Sequence, residues 1–168
     1  MELWDVYDGC MEKTGRTHIR GEKMPEGDHH IVVMIYPVND RGDILIQKRS
    51  AATRNPLRWA ETCGSAITGE TAAQAMRREL SEELGLRADA GNTELFSVEK
   101  RKASFLFTYI MRTNADISEL RLQEEEVADA KWVTADELTR MIDGGEFLLN
   151  EKSPVYEIME MIRREHDA

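Results

Sequence analysis

The chain has 168 residues, about the length of one globular domain, and its formal net charge is −10 at pH 7. That charge disfavours a broad surface for nucleic acid or anionic membranes, because phosphate groups are bound by basic patches. No apolar run reaches the roughly 18 residues of a membrane span, and Cys10 and Cys63 are too few for a disulfide framework. The N-terminus also lacks the basic-then-apolar pattern of a signal peptide. We therefore expect a reduced, cytoplasmic protein that binds neither nucleic acid nor membrane.

The N-terminal part of the chain predicts short strands joined by polar turns. Residues 2–8 alternate apolar and polar side chains, which indicates a strand, and residues 9–27 predict a turn, a further short strand and a loop. The β-branched run Ile31–Val38 is typical of a buried strand. The turn Asn39–Gly42 would bring Asp43–Lys48 back as the partner of that strand.

A helix with clear end signals occupies the middle of the chain. It follows an extended segment over Trp59–Ile67. Thr71 is placed to cap the helix, and Gln74, three residues on, completes a capping box. Gly85 is placed to end it.

The C-terminal part predicts two paired strands, a charged loop, and a strand followed by two helices. The predicted elements are the strands Glu94–Lys100 and Ala103–Arg112, the charged loop Asp116–Glu126, the strand Lys131–Val133, a helix capped by Thr134 and ended by Gly144, and a helix that begins at Pro154 and runs to about Arg164. No repeat or linker divides the sequence, so we expect residues 1–168 to form a single domain.

Four carboxylates and one guanidinium are concentrated on the central helix and the loop before it. Residues three and four positions apart share a helix face, so Glu79, Glu82 and Glu83 crowd one patch. Their mutual repulsion would favour a divalent cation, and oxygen ligands suit Mg²⁺ or Mn²⁺ rather than Zn²⁺. We expect Arg78 to aim a neighbouring carboxylate and Glu70 to reach back toward the same face. The alternative is a solvated acidic surface.

This segment resembles the Nudix box, Gly-x5-Glu-x7-Arg-Glu-U-x-Glu-Glu-x-Gly-U with U aliphatic. The matching positions are Gly64, Glu70, Arg78, Glu79, Leu80, Glu82, Glu83, Gly85 and Leu86. The flanking strands and Trp132–Leu138 are similar as well, so the resemblance covers most of the chain. It implies an α+β fold, an α/β/α sandwich around a mixed sheet. It also implies attack of water on the diphosphate linkage of a small nucleoside diphosphate derivative or related organic pyrophosphate.

The resemblance also implies roles for individual side chains. Glu79, Glu82 and Glu83 would bind Mg²⁺ or Mn²⁺. In some family members Glu79 or a glutamate nearby serves as the general base instead. Arg78 would orient Glu79, and Glu70 would be an outer ligand or a support. The catalytic roles would thus fall on Glu79, Arg78 and Glu82.

Residues outside the helix also match positions of the family. Gly64 would let the backbone approach the metal, with the carbonyl of Cys63 as a further ligand. Arg49 matches a position that contacts substrate phosphate in some members, or is a surface arginine. Glu124–Glu126 would supply another ligand or base, or form a solvated loop. Homodimers are common in the family, so a homodimer is left open.

A second resemblance is to the isopentenyl diphosphate isomerase branch of the same superfamily. It is carried by Leu3–Asp8, Thr14–Glu22, His30 and the pair Cys63-Gly64. In that branch a cysteine at the position of Cys63 transfers a proton, and histidines resembling His18 and His30 bind a metal. Otherwise Cys63 is a small buried side chain, and the histidines are polar residues of turns and strand edges.

Two parts of the isomerase pattern are missing from the sequence. That branch needs a histidine directly after the Cys-Gly pair, where this chain has Ser65. It also needs an acidic pair at the start of a later strand, where Lys100-Arg-Lys102 stands. We therefore predict an isomerase-like Nudix hydrolase. An isomerase and a non-catalytic nucleotide-binding regulator are the alternatives.

Overall fold

The computed structural model describes the backbone of residues 1–167 and the side chains of residues 1–166. Its strands are β1 (Leu3–Tyr7), β2 (Lys13–Ile19), β3 (His30–Val38), β4 (Ile44–Arg49), β5 (Trp59–Ala60), β6 (Thr62–Ser65), β7 (Thr93–Lys100), β8 (Ser104–Arg112) and β9 (Val127–Val133). Its α-helices are α1 (Ala72–Leu84), α2 (Ala135–Asp143) and α3 (Val155–Asp167), and a short 3₁₀ helix covers Ile117–Glu119.

The central sheet is mixed. Its main path runs in the order β5-β4-β3-β8-β7, while β6 pairs with β3 and β9 pairs with β4. β3 runs parallel to β8 and antiparallel to β6. β1 and β2 form a separate antiparallel hairpin.

Helices cover both faces of this sheet. Side chains alternate between faces along a strand, so Val33 and Ile35 of β3 pack in the cluster that contains Leu80 of α1. Met34 and Tyr36 point to the other face and pack in the cluster of α2 and α3. The three layers confirm the prediction of an α+β fold with an α/β/α sandwich around a mixed sheet.

The ends of α1 are set by the residues that the sequence singles out. The hydroxyl of Thr71 accepts a hydrogen bond from the Gln74 amide, and the Gln74 side chain accepts one from the Thr71 amide. Gly85 adopts a left-handed conformation with φ of 69°, which a residue with a side chain rarely adopts. The predicted capping box and C-terminal glycine are both confirmed.

The predicted antiparallel partnership of β3 and β4 is confirmed next to the turn but does not extend along the strands. The turn after Val38 pairs that residue with Ile44, which is the single β3–β4 residue pair in the ladder. Beyond it the strands separate, because β6 takes the position beside β3 and β9 pairs along β4. A turn signal fixes which strands are adjacent at the turn, but not which strands remain paired.

Two elements are longer than predicted. β9 begins at Val127 rather than Lys131, and its buried residues Val127, Ala130 and Val133 are three positions apart. Val127 and Ala130 pack on the α1 side across a register shift in the ladder with β4, whereas Val133 packs on the opposite side, so burial does not alternate every two residues. The last helix continues to Asp167 rather than Arg164.

The N-terminal hairpin is tied to the loop that precedes α1. The amide of Thr68 donates to the Leu3 carbonyl at 2.8 Å, and the amide of Gly69 donates to the Asp5 carboxylate at 3.0 Å.

Within residues 1–167 no helix is long and apolar enough to cross a membrane. That residues 1–168 form one domain stays a prediction.

Candidate active site

Arg78 joins one carboxylate before α1, that of Glu70, to two within the helix, those of Glu79 and Glu82. Its Nε and Nη2 atoms donate to the two oxygens of Glu70 at 2.8 and 3.0 Å. Its Nη1 donates to Glu79 at 2.9 Å and to Glu82 at 3.2 Å, and Nη2 also donates to the Ser65 carbonyl at 3.0 Å. The guanidinium therefore fixes Glu79 relative to the strand β6, and Glu70 supports the guanidinium.

Gly64 makes room for Glu79. A Cβ atom on Gly64 would lie 2.1 Å from both Cδ and Oε1 of Glu79, far inside contact distance. Only a glycine at this position lets the carboxylate rest against the backbone of β6. Cys63, whose carbonyl is the predicted further metal ligand, directly precedes Gly64 in β6.

Glu83 is the most buried carboxylate of the box, with 8% of its surface exposed. It accepts a hydrogen bond of 2.5 Å from the Gln47 amide, and the Gln47 carbonyl oxygen accepts one of 3.0 Å from Thr62. Two neutral groups therefore orient this carboxylate from β4 and β6, with no basic partner among the residues whose side chains are described.

The electrostatic state of the carboxylates follows from burial and from Arg78. Burial raises the pKa of Glu83 to about 8, despite the Gln47 hydrogen bond and with repulsion from Glu79 adding to it. Burial also raises the pKa of Glu79, because the charge of Arg78 offsets it only in part. Burial alone would raise the pKa of Glu70 too, but the Arg78 hydrogen bonds hold it below its usual value. The protein therefore compensates only in part for the negative charge that Glu79 and Glu83 would carry when ionised.

These residues fit a hard divalent cation. The donors are carboxylate oxygens, which are the ligands that Mg²⁺ and Mn²⁺ prefer. The raised pKa values of Glu79 and Glu83 mean that a nearby positive charge would stabilise both. Within the described residues, no three His, Cys, Asp or Glu side chains converge as a ready-made ligand cluster. Arg78 instead holds Glu79 and Glu82 at its own guanidinium.

Two further candidates from the sequence, the basic residue Arg49 and the acidic run Glu124–Glu126, lie outside α1 and act on Glu83. Arg49 follows Gln47 by two residues in β4, and its Nε donates to the Arg54 carbonyl at 2.8 Å. Its charge acts on Glu83. Of the acidic run Glu124–Glu126, all exposed, Glu126 also acts on Glu83, and the Gln123 amide donates to the Glu83 carbonyl at 3.1 Å.

The histidines do not assemble with Cys63 into the site that the isomerase resemblance implies. His18, near the end of β2, bonds the Glu22 carbonyl, and the ring of His30 stacks on Trp4 with centroids 3.9 Å apart. Burial lowers the pKa of His30 to about 4. Enclosure of the Cys63 thiol and the charge of Glu61 raise the pKa of that thiol, which opposes proton transfer at neutral pH.

Two polar residues near the box escaped the sequence reasoning. Gln47 is 3% exposed and interrupts the apolar run of β4, so a polar residue at a core-facing position was the available signal. Glu61 is 1% exposed and precedes the Cys-Gly pair by two residues. Burial raises its pKa to about 7. Nothing in the sequence between Trp59 and Cys63 indicated that this single glutamate is buried.

Comparison with known proteins identifies the family. The NUDIX domain family matches residues 28–150. A Nudix hydrolase of Listeria monocytogenes, lmo0368, is 40% identical over 150 residues, covering 88% of this chain and 89% of its own. An isopentenyl-diphosphate Delta-isomerase of Brevibacterium linens is 29% identical over 156 residues, covering 85% and 82% of the two chains.

The fold agrees with these relatives. The crystal structure of DR0079 from Deinococcus radiodurans superimposes with a TM-score of 0.76 at 23% identity, covering 97% of this chain and 98% of that one. Both resemblances predicted from the sequence are confirmed, as is the expectation of a pyrophosphohydrolase-type enzyme. Nudix hydrolases generally use divalent metal ions and bind small-molecule substrates. The chain belongs to the Nudix family.

Proposed function

We propose that this protein is a Mg²⁺- or Mn²⁺-dependent hydrolase of the diphosphate linkage in a nucleoside diphosphate derivative or a related organic pyrophosphate. One observation carries the proposal. The half-buried Glu79 rests against Gly64 and is held by Arg78, the buried Glu83 is held by Gln47, and the pKa values of both carboxyl groups are raised. This is an arrangement that costs stability unless a cation and its phosphate ligand use it.

Each side chain has a role in this proposal. A bound Mg²⁺ or Mn²⁺ would neutralise phosphate charge and lower the pKa of its water. Glu79, Glu82, Glu83 and the Cys63 carbonyl would hold that ion. Glu79 would also take a proton from the attacking water, and burial raises its pKa toward neutral pH, which suits a general base.

The remaining groups orient the reactants. Arg78 keeps Glu79 in place, and Glu70 keeps Arg78 in place. Arg49 would contact the substrate phosphate from the end of β4. Because phosphoanhydrides carry several negative charges, most of the rate gain would come from positioning and electrostatics.

A substrate panel tests the proposal. The protein is incubated with Mg²⁺ or Mn²⁺ and nucleoside di- and triphosphates, nucleotide sugars, dinucleotides, coenzyme A and prenyl diphosphates. We expect cleavage of at least one diphosphate linkage, abolished by EDTA and restored by either metal. Cleavage that persists in EDTA would contradict the metal requirement.

The panel also separates the two alternatives. An isomerase would exchange deuterium into isopentenyl diphosphate without releasing phosphate, and the isomerase relatives make this outcome worth measuring. The raised thiol pKa of Cys63 and the serine at position 65 count against it. A regulator would bind a nucleotide tightly and hydrolyse nothing.

A further inference from the structure

A cleft of about 620 Å³ opens at the end of the sheet where the parallel strands β3 and β8 begin. One wall is the loop of residues 23–27, which precedes β3, and the other is the turn between β7 and β8, with Lys102 and Ala103. The amide of His30 donates to the Ala103 carbonyl at 3.2 Å, which joins the loop to the turn. Binding sites for small molecules commonly have volumes of about 300–1,000 Å³. The cleft is therefore large enough for an organic molecule rather than a single ion.

The loop wall of the cleft is held in shape by the protein itself. Arg16 donates to both carboxylate oxygens of Asp28 at 2.6 and 2.7 Å, and the Asp28 amide donates to the Pro25 carbonyl at 3.2 Å. The His29 ring bonds the Gly27 carbonyl at 3.1 Å, and Gly27 turns the chain with φ of 85°. Because these contacts already order the loop, a ligand would not have to order it on binding.

The cleft carries a net positive charge, although the whole chain carries −10. Lys23 and Lys102 line it and are exposed, and Glu26 adds one carboxylate. Among the side chains of residues 1–166, neither lysine forms an ion pair or a side-chain hydrogen bond. The nearby carboxylate of Asp28 is already bound by Arg16. Two accessible ammonium groups therefore remain to attract an anion, and they would repel a cation.

Apolar side chains form much of the remaining lining. Met24 and Ala103 are half-buried, and Pro25 is exposed. Methionine adapts to the shape of a ligand, and proline presents a rigid ring. Inorganic phosphate would contact the lysines but leave this surface in water, whereas an apolar group would cover it. The lining thus favours an anion that is attached to an apolar or aromatic body.

We propose that this cleft binds a small organic phosphate monoester. Lys23 and Lys102 bind its phosphate, since a group that carries nearly two negative charges at pH 7 matches two ammonium groups better than a carboxylate does. Its apolar body lies against Met24, Pro25 and Ala103. The site uses none of the carboxylates of the box, so the proposal goes beyond the hydrolysis proposed above and does not depend on it.

A titration followed by nuclear magnetic resonance of the ¹⁵N-labelled protein in EDTA tests the site without metal or hydrolysis. Phenyl phosphate is the probe. It is compared with inorganic phosphate, which lacks the ring, and with phenol, which lacks the phosphate. We expect phenyl phosphate to shift the amide signals of Gly27 and Ala103, and to bind at least about tenfold more tightly than either comparison compound.

Paired variants test the two lysines. Lys23→Met combined with Lys102→Met should weaken the binding of phenyl phosphate at least about tenfold, because both ammonium groups are removed. The weak binding of phenol should not change. The matched control is Lys48→Met combined with Lys131→Met, which removes the same charge beside the ring of Trp59 and should keep the affinity for phenyl phosphate.

Several results would overturn the site. Equal affinity for phenyl phosphate and inorganic phosphate would mean that the apolar lining contributes nothing. Signal shifts confined to residues outside the cleft would place the probe elsewhere. Unchanged affinity in the cleft variant, or an equal loss in the control, would mean that the two lysines do not bind the phosphate directly. Because no variant alters the box, the site and the proposed hydrolysis can fail independently of each other.

Discussion

The two faces of β6 differ in how their polar groups are satisfied. On the α1 face, Arg78 and Gln47 engage the carboxylates of the box, so the charges are held rigidly but are incompletely neutralised. On the α3 face, Arg101 and Glu61 each retain buried atoms with no partner. The difference is between a face whose polar side chains hold one another in place and a face whose buried polar atoms remain unpaired.

The most severe test of the α1 face is to neutralise its carboxylates singly. We expect Glu83→Gln and Glu82→Gln each to reduce turnover about a hundredfold to a thousandfold, because each removes a charge that would stabilise the metal-bound transition state. Steady-state hydrolysis of the best panel substrate measures this. Unchanged turnover in both variants would contradict the role of this face.

The same two variants should differ in stability, which sharpens the contrast between a buried and an exposed carboxylate. The folded-state pKa of Glu83 is raised to about 8 from an ordinary value of 4.5. The folded state therefore binds more protons than the unfolded state, and this group costs stability increasingly as pH rises between those values. At pH 8 without metal, Glu83→Gln should stabilise the protein by about 4 kcal/mol. Glu82, whose side chain is 51% exposed, serves as the matched control and should show no such gain.

A smaller steric change tests the space on the α1 face of β6, between Gly64 and Glu79. Gly64→Ala should reduce turnover about tenfold to a hundredfold, because the new methyl group would displace the Glu79 carboxylate by an ångström or more. Folding should survive, since the displaced atoms are the end of a side chain. Gly91→Ala, where the nearest atom is an exposed Asp89 oxygen at 3.2 Å, is the matched control. If Gly64→Ala retained full turnover, Glu79 would not need its place against β6.

A pH titration examines the α3 side, where His30 stacks on Trp4. Burial lowers the pKa of His30 to about 4 from 6.5. The unfolded state therefore binds more protons between these values, and the stability that this group contributes above pH 6.5 is lost as pH falls toward 4. Between pH 7 and pH 5 the loss should be about 2 kcal/mol, and His30→Phe, which keeps a planar ring on Trp4, should remove it.

Denaturant unfolding at both pH values measures this effect. His18→Phe is the comparison variant, because its ring lies farther from Trp4, with centroids 6.3 Å apart. If the wild-type protein and His30→Phe lost equal stability between pH 7 and pH 5, His30 would not be the group responsible.

What the sequence predicted correctly was mostly local along the chain. The carboxylate spacing, the Thr71 cap and the Gly85 stop each depend on a few consecutive residues, and the structure reproduces the helix that they define. The parallel pairing of β3 with β8 depends on residues about seventy positions apart and left no local signal. For the same reason, the contact between Gln47 and Glu83 was not predicted.

The central claim is that water attacks a phosphorus atom at the α1 glutamates. Hydrolysis of the best panel substrate with Mg²⁺ in ¹⁸O-enriched water, followed by mass spectrometry, tests it most directly. We predict one ¹⁸O atom in a phosphoryl product for the wild-type protein and almost none for Glu83→Gln in the same time. Products without label, or equal labelling by Glu83→Gln, would contradict it.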